Sequence, residues 1–346
     1  MNRIFILIFT FLFLIGCTQE HQPRKIEKLT IKAFKIDSSS IRAIQVTNSN
    51  SAAYADSKGN VGFTTDNGGL WHTVPIKYQD SIIPNFRSLG YNGADYFALS
   101  IGNPALLYKI SKGKATLQYL EKDPNVFYDA LTFFEDNMHG IAVGDPTALC
   151  ASIIMTADGG ETWTKIPCKN LPKIMKGEAF FAASNTNIKT MGSTVWIASG
   201  GARARVLKST NYGNTWQIFE TPIIQGNGPQ GIYSIDFYDK NNGIIMGGDY
   251  SKPQENSANK AVTSDGGKTW TLIANNQNPN YKSAVQYVPN TQGKEVFAVG
   301  KTGISFSNDG GVTWKEVSKE EYYAIQFIDK NTAWLSGNEK IGKLEL

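Results

Sequence analysis

The sequence predicts an all-β fold, and three observations predict it. The chain of 346 residues contains 33 glycines and 12% aromatic residues, while only 18% of its residues are charged. This balance is typical of short strands joined by tight turns, not of a helical bundle. A polar turn that ends in tryptophan occurs five times, and seven short apolar runs, each ending near a glycine, accompany it. The chain is also long enough to bury a large core.

The repeated turn has the pattern Ser/Thr-x-Asp/Asn-x-Gly-x-x-Trp, and five of the seven tryptophans close a copy of it. The Asp or Asn side chain can accept hydrogen bonds from backbone N–H groups two residues further on. The glycine can take a positive φ, and the tryptophan ring covers the turn. We therefore predict structural hairpin turns at TTDNGGLW (64–71), TADGGETW (156–163), STNYGNTW (209–216), TSDGGKTW (263–270) and SNDGGVTW (307–314). Their structural residues are Asp66, Trp71, Asp158, Trp163, Asn211, Trp216, Asp265, Trp270, Asp309 and Trp314.

The spacing of these turns predicts the architecture. The tryptophans are separated by 92, 53, 54 and 44 residues, and the first interval holds a degenerate unit (96–120) that lacks the turn. A repeat of this length made of short strands is typical of a β-propeller blade. The last unit (322–346) stops after its third strand, while KLTIKAFKI (28–36) reads as a strand with no other partner. We predict a seven-bladed β-propeller over residues 28–346, with the ring closed by the N-terminal strand.

The N-terminus predicts export and a lipid anchor. Arg3 precedes twelve apolar residues (4–15), fewer than the roughly 20 that span a bilayer, which is typical of a secretory signal. LIGC (14–17) resembles the lipobox of bacterial lipoproteins, in which Cys17 would carry the lipid. The alternative is a plain secretory signal with an unmodified cysteine. We expect a signal peptide with its lipobox cysteine (1–17), a polar tether (18–27) and an exported, membrane-anchored lipoprotein of the bacterial cell envelope.

Two cysteines flank the turn at 156–163. Cys150 and Cys168 are equidistant from Gly159 at its centre, so they should face each other across two strands. In an exported protein this arrangement favours a disulfide, and the alternative is two separate buried thiols. The net charge of +4 is small and dispersed, which argues against a nucleic-acid partner.

The repeated turns match the Asp-boxes (BNR repeats) of sialidases and of many exported propellers. Over most of residues 41–317 the chain also resembles the photosystem II stability/assembly factor family and its bacterial relatives. The segments that carry this resemblance are NFRSLGY (85–91), VFYDALTFFEDNMHGIAVGDP (126–146), GEAFFAASN (177–185), GGARARVLKST (200–210), GIYSIDFYDKNNGIIMGGDYSKP (231–253) and YKSAVQYVPN (281–290). The resemblance implies a seven-bladed propeller on the outer side of a membrane that binds a membrane-protein subunit during assembly.

Loops at the end opposite the repeated turns are expected to carry the function, because binding residues concentrate in loops on a rigid scaffold. Arginines, tyrosines and a few carboxylates around an axial cavity suit an anionic or polar peptide. The alternative is that these side chains only satisfy the loop backbone and pair with each other. The candidate binding residues are Arg87, Tyr128, Asp129, Asp145, Glu178, Arg203, Arg205, Tyr233, Asp249 and Tyr250.

Two enzyme classes are alternatives to a binding role. Sialidases clamp a carboxylate with arginines and use a tyrosine activated by a glutamate; Tyr233 and Glu178 supply these residue types, but the arginines do not follow the sialidase order. An oxidoreductase would need a dinucleotide motif between a strand and a helix, and none is visible. With three histidines the chain has few metal ligands. We predict a monomeric binding or assembly scaffold for another envelope or membrane protein, without cofactor or metal. A glycoside hydrolase is the alternative, and an oxidoreductase a further one.

Overall fold

The computed structural model describes residues 21–346, so the predicted signal peptide and Cys17 lie outside the described residues. Within this range the regular elements are β-strands and one short 3-10 helix, Cys168–Asn170. No helix in the described range is long and apolar enough to cross a membrane.

The strands are short apart from the first and the last. Those of the first half are β1 (Ile31–Asn48), β2 (Ser51–Asp56), β3 (Asn60–Thr64), β4 (His72–Pro75), β5 (Phe86–Tyr91), β6 (Tyr96–Ser100), β7 (Ala105–Ser111), β8 (Lys114–Glu121), β9 (Tyr128–Phe133), β10 (Gly140–Gly144), β11 (Ser152–Thr156), β12 (Thr164–Lys165), β13 (Glu178–Ala179) and β14 (Ile188–Met191). Those of the second half are β15 (Thr194–Ala198), β16 (Gly200–Gly201), β17 (Arg205–Ser209), β18 (Gln217–Glu220), β19 (Gln230–Phe237), β20 (Gly243–Asp249), β21 (Lys260–Thr263), β22 (Thr271–Leu272), β23 (Ala284–Tyr287), β24 (Val296–Gly300), β25 (Gly303–Ser307), β26 (Lys315–Ser318), β27 (Ala324–Phe327) and β28 (Thr332–Glu345).

These strands form six sheets, all with antiparallel neighbours. Five of them follow the chain: β5–β8, β9–β12, β14–β15–β17–β18, β23–β26, and β19–β22 with β13 and β16 added at its edge. The sixth has the order β27-β28-β1-β2-β3-β4 and contains both ends of the described chain.

The number of blades differs from the prediction because of β1. Residues Ile31–Lys35 of this strand pair with β28, and residues Ile41–Asn48 pair with β2. The first and last units of the repeat therefore share one strand and belong to one sheet. The prediction of seven blades is wrong: the propeller has six, and the sheet that closes the ring joins the N-terminal and C-terminal strands.

The core lies between neighbouring sheets. Central strands are buried on both faces, as in β20, where all seven residues are buried. Large aromatic side chains fill the spaces: Trp334 is fully buried and packs against Phe34 and Trp71 at centroid distances of 5.9 and 6.0 Å. Burial of this kind stabilises the fold by about 25 cal/mol for each Å² of apolar surface removed from water.

The repeated turns satisfy most of their polar groups internally. In the copy at 156–163, Thr156 Oγ1 donates to Asp158 Oδ1 at 2.7 Å and accepts from the Gly160 N–H at 3.0 Å. Asp158 Oδ1 accepts from the Thr162 N–H, four residues further on and not two as the sequence analysis expected. The same Ser/Thr-to-glycine bond occurs in all five copies.

The strand order defines two faces of the ring. The five repeated turns lie at one end of the sheets together with the β9–β10, β23–β24 and β27–β28 links, and we call this end the turn face. The innermost strands, counting only the second half of β1 (Ile41–Asn48), begin at the opposite end together with the β10–β11 and β20–β21 links, and we call this end the mouth face. A disulfide joins Cys150 and Cys168, which precede β11 and follow β12, with their Cα atoms 5.5 Å apart.

Candidate functional site

A cavity of about 450 Å³ opens on the mouth face at the axis of the ring. Six residues line it, near the starts of β5, β9, β19, β23 and β27 and of the second half of β1 (Ile41–Asn48): Arg42, Arg87, Asp129, Tyr233, Ser283 and Tyr323. In the sequence each is followed by Ala or Ser and then by Ile, Leu or Val. The small residues are buried between the sheets, with at most 1% of their surface exposed. Because side chains alternate along a strand, the preceding residue then points towards the axis.

Two arginines form the cationic part of the cavity. The Arg42 guanidinium stacks over the Tyr323 ring at 4.2 Å and donates to the Ala183 carbonyl at 3.1 Å. Its Nε atom is buried and has no hydrogen-bond partner in the described part of the chain. Burial and the charge of Arg42 lower the pKa of Arg87, which nevertheless stays protonated because arginine pKa values exceed the physiological range.

Two carboxyl groups lie beside the arginines. Asp129 is fully buried, and neither of its oxygens accepts a hydrogen bond of normal geometry within residues 21–346. Burial, and next the charge of Asp145, raise its pKa, while Arg87 and the Ala182 N–H oppose the shift. Burial also raises the pKa of Asp145 to about 6, although the Phe180 N–H donates to its Oδ1 at 2.7 Å. This corner can therefore hold a proton at near-neutral pH.

The other side of the cavity is aromatic. Phe181 and Tyr233 are stacked with their centroids 4.0 Å apart, and Tyr281 meets Tyr233 edge-on at 4.9 Å. Tyr233 donates its hydroxyl to the Pro229 carbonyl at 2.8 Å, and burial raises its pKa above the ordinary value. Tyr250 completes this wall and leaves 49% of its surface exposed.

The loop that carries Tyr250 is held in place from two sides. Asp249 accepts from the Ser251 N–H and hydroxyl at 2.9 and 2.5 Å, which closes the turn after β20. Lys301 donates to the Tyr250 carbonyl at 2.6 Å. Asp249 itself does not line the cavity, so its part is to position Tyr250.

Two of the predicted residues form a buried ion pair outside the cavity. Glu178 accepts from Arg205 Nε at 3.1 Å and from its NH2 group at 2.6 Å, and the Ser199 hydroxyl donates to the same carboxylate at 2.6 Å. This cluster joins β13 to β17 and holds the segment that continues into Phe181. Glu178 and Arg205 thus correspond to the alternative stated in the sequence analysis, in which candidate polar side chains pair with each other.

Two further predicted residues also lie away from the cavity. Tyr128 is fully buried between sheets, and its hydroxyl donates to Glu121 at 2.9 Å. Arg203 is exposed in the link between β16 and β17. The predicted residues that the structure brings together are Arg87, Asp129, Asp145, Tyr233 and Tyr250.

Several lining residues were not predicted. Arg42 and Tyr323 share the pattern of a variable residue followed by a small and an aliphatic one, so aligning the innermost strands would have found them. Lys301 and Phe181 lie in links between strands and carry no such signal. Among residues 21–346, no group of three or more His, Cys, Asp and Glu side chains is placed to hold a metal ion.

Fold and cavity together define a β-propeller with a cavity of charged and aromatic side chains at one end of its axis. No protein-family model matches the chain, and no curated protein matches it. Solved structures do resemble it. "YCF48 bound to D1 peptide" has a TM-score of 0.67 at 15% identity and covers 93% of this chain and 98% of its own.

Two further solved structures resemble the chain. YCF48 from Cyanidioschyzon merolae has a TM-score of 0.60 at 16% identity, covering 91% of this chain and 98% of its own. Virginiamycin B lyase from Staphylococcus aureus has a TM-score of 0.61 at 13% identity, covering 92% of this chain and 100% of its own. At such low identities these likenesses show the propeller fold alone.

Proposed function

We propose that this protein is an exported, lipid-anchored scaffold that binds a segment of another cell-envelope protein in the mouth-face cavity. The observation that carries the proposal is a set of buried polar atoms with no hydrogen-bond partner of normal geometry among residues 21–346: Arg42 Nε and both carboxyl oxygens of Asp129. Leaving a buried polar group unpaired costs about 1–3 kcal/mol. These atoms have almost no accessible surface, so a ligand that donates and accepts hydrogen bonds would remove this cost by displacing the side chains that cover them.

A polypeptide segment has the chemistry that the cavity would accept. Its backbone offers N–H donors to Asp129 and carbonyl acceptors to Arg42, and a carboxylate of the segment could pair with Arg42 and Arg87. The wall of Phe181, Tyr233 and Tyr281 offers apolar contact for a neighbouring side chain, as aromatic residues do at binding hot spots. The similar structure of YCF48 bound to a D1 peptide supports a protein segment as the class of ligand.

The proposed location depends on the N-terminal sequence and the cysteines. LIGC at 14–17 supports lipidation at Cys17, and the disulfide between Cys150 and Cys168 supports a compartment in which thiols are oxidised.

A sialidase-like mechanism is less well supported by the geometry. It would need Glu178 to activate Tyr233, but Glu178 pairs with Arg205 and the Tyr233 hydroxyl donates to a backbone carbonyl. We therefore do not propose hydrolysis.

Affinity capture tests the proposal. Residues 18–346, immobilised on a resin, are incubated with detergent-solubilised envelope of the native host, and the captured proteins are identified by mass spectrometry. The mouth variant is Arg42→Gln/Arg87→Gln. The matched control is Arg203→Gln/Lys252→Gln, which removes two exposed cations from the same face outside the cavity. Melting temperatures establish that each bait is folded.

We expect one or two proteins to be captured by the wild type and the control and lost in the mouth variant. A synthetic peptide covering the contacting segment should then bind the wild type at least about tenfold more tightly than the mouth variant, which corresponds to about 1.4 kcal/mol. Equal capture by all three folded baits, or none by the wild type, would refute the proposed function.

A further inference from the structure

The residues before β1 lie on the turn face of the ring. His21 Nε2 contacts Glu295 Oε1 at 2.9 Å, and the Arg24 N–H and Nε donate to the two oxygens of the same carboxylate at 2.9 and 2.8 Å. Asn308, in the repeated turn at 307–314, donates to the Arg24 carbonyl at 3.1 Å. We call residues 21–30 the strap.

Glu295 is built to hold the strap. Its carboxylate is fully buried, so it needs a partner, and the described partners of its two oxygens are His21 and Arg24. Burial alone would raise the pKa of Glu295, but hydrogen bonds from Arg24 and His21 lower it below the ordinary value. Removing one member of a buried, hydrogen-bonded charge pair is strongly destabilising, which makes this contact more than an incidental surface bridge.

Apolar contacts extend the docking along the ring. Ile26 and Leu29 pack against the hydrophobic cluster between β23–β26 and β27–β28, and the Leu29 N–H donates to the Val317 carbonyl at 3.3 Å. The strap therefore has two points of attachment, one at Arg24 and one at Leu29.

We propose that the strap orients the propeller on the membrane, with the turn face towards the lipid surface and the mouth-face cavity directed away from it. This inference rests on the proposed function in taking the chain to be anchored through Cys17. Only three residues lie between Cys17 and His21, and the four residue-to-residue steps span at most about 14 Å when fully extended. The turn face is thus held within this distance of the anchor.

The consequence concerns the partner. A cavity that opens away from the membrane accepts segments of a protein that project beyond the propeller, not residues at the lipid interface. If Arg24 were released, the free length from Cys17 to Leu29 would grow to at most about 40 Å. The ring could then turn either face to the lipid.

Energy transfer to a labelled membrane tests the orientation. Residues 18–346 carry an N-terminal hexahistidine tag and bind vesicles that contain a nickel-chelating lipid and an acceptor-labelled lipid. Separate variants place a donor dye at Val312→Cys on the turn face or at Lys252→Cys on the mouth face, both on exposed side chains. This part of the chain has only Cys150 and Cys168, which are joined in the disulfide, so the dye reacts at one position.

We expect transfer from position 312 to exceed transfer from position 252 by about twofold or more in the wild type. In Arg24→Ala/Glu295→Gln, which frees the strap without leaving a buried charge unpaired, the two values should become similar because the tether is then long and flexible. Arg203→Ala is the control and should behave as the wild type. Equal transfer in the wild type, or a difference that persists in the freed variant, would overturn the inference.

Trypsin cleavage after Arg24 gives a second measurement that needs no membrane. The docked strap should be cut at least about tenfold more slowly in the wild type than in Glu295→Gln, because cleavage requires local opening. Equal rates would show that the strap is not held. Neither measurement involves lipidation or a bound protein, so its outcome is separate from that of the affinity capture.

Discussion

Aspartates on the two faces of the ring have opposite surroundings. On the turn face, Asp158 accepts hydrogen bonds from Thr156 and Thr162, and these bonds outweigh partial burial and lower its pKa to about 2. On the mouth face, Asp129 has no hydrogen-bond partner of normal geometry in the described chain, and burial raises its pKa. The charged form of Asp158 therefore stabilises its turn, whereas the surroundings of Asp129 disfavour its charged form.

This difference distinguishes the repeated turns, which are structural, from the mouth-face cavity, which is the candidate binding site. A repeated turn that satisfies its own polar groups requires no ligand, and its recurrence in five copies reflects a local folding solution. A cavity that leaves buried polar groups unpaired costs stability, and such a cost is typical of positions used for binding. The two faces should therefore respond differently to substitution.

The largest effect is expected in the turns. Gly160 has a φ of +90°, and a Cβ added there would lie 2.3 Å from the Phe97 ring. Gly160→Ala should lower the free energy of unfolding by about 3 kcal/mol, because strain in the left-handed region costs roughly 1–2 kcal/mol and overpacking about 1–3. Chemical denaturation measures the change.

Gly113 is the matched control for this substitution. Its φ is +77°, but a Cβ there would have no atom within 4 Å. Gly113→Ala should therefore cost only the backbone strain, roughly 1–2 kcal/mol. If both variants lose the same stability, the close contact with Phe97 does not matter to the turn.

A smaller effect is expected on ligand binding from the aromatic wall. Tyr250→Ala should weaken binding of the captured segment by about 1–2 kcal/mol, the size of a moderate hot spot, with little change in melting temperature because the side chain is half exposed. Tyr238→Ala removes a tyrosine of similar exposure from the turn face and serves as control. Isothermal titration calorimetry measures both affinities, and equal binding of the segment by the two variants would contradict this prediction.

The smallest effect is a pH dependence set by Asp145. Its pKa of about 6 in the free protein should rise further when an anionic group binds beside it, so binding takes up a proton and affinity falls as pH rises through 6. Asp145→Asn removes this charge and should bind an anionic segment about 0.5–1 kcal/mol more tightly at pH 8, but equally at pH 5. Calorimetry at pH 5 and pH 8 tests this prediction. If Asp145→Asn keeps the pH profile of the wild type, another group causes the pH dependence.

The raised pKa of Asp145 also makes the stability of the fold depend on pH. Between the ordinary value of 3.8 and about 6, the folded protein binds more protons at Asp145 than the unfolded chain does. The contribution of this residue to stability therefore falls as pH rises through that window, and Asp145→Asn should melt higher than the wild type at pH 8. The turn aspartates act in the opposite sense, and their contribution is lost only as pH falls from 3.8 towards 2.

Much of the fold follows from the sequence because turns and strands are local. Alternating apolar runs and the glycine at position five of each turn are enough to predict an all-β propeller. The number of blades was wrong because it depends on how one strand is shared: nothing in KLTIKAFKI shows that β1 continues to Asn48 and pairs on both sides.

The residues of the candidate site were harder to predict from the sequence than the fold. Arg87 and Arg205 look alike as arginines in strand-like segments, yet one lines the cavity and the other pairs with Glu178. What separates them is the strand on which they lie: Arg87 is on an innermost strand and Arg205 is two strands further out. Only the register of the repeat, shared by Arg42 and Tyr323, carries that information.

Closure of the ring by one sheet has a consequence for how the gene can be rearranged. Because β1 and β28, the first and last strands of the described chain, lie side by side in one sheet, deleting either strand would open the ring instead of shortening it. Joining the ends and starting the chain elsewhere would leave every strand pair intact. The exposed β7–β8 turn at Lys112 and Gly113 is a natural new terminus for such a circular permutant.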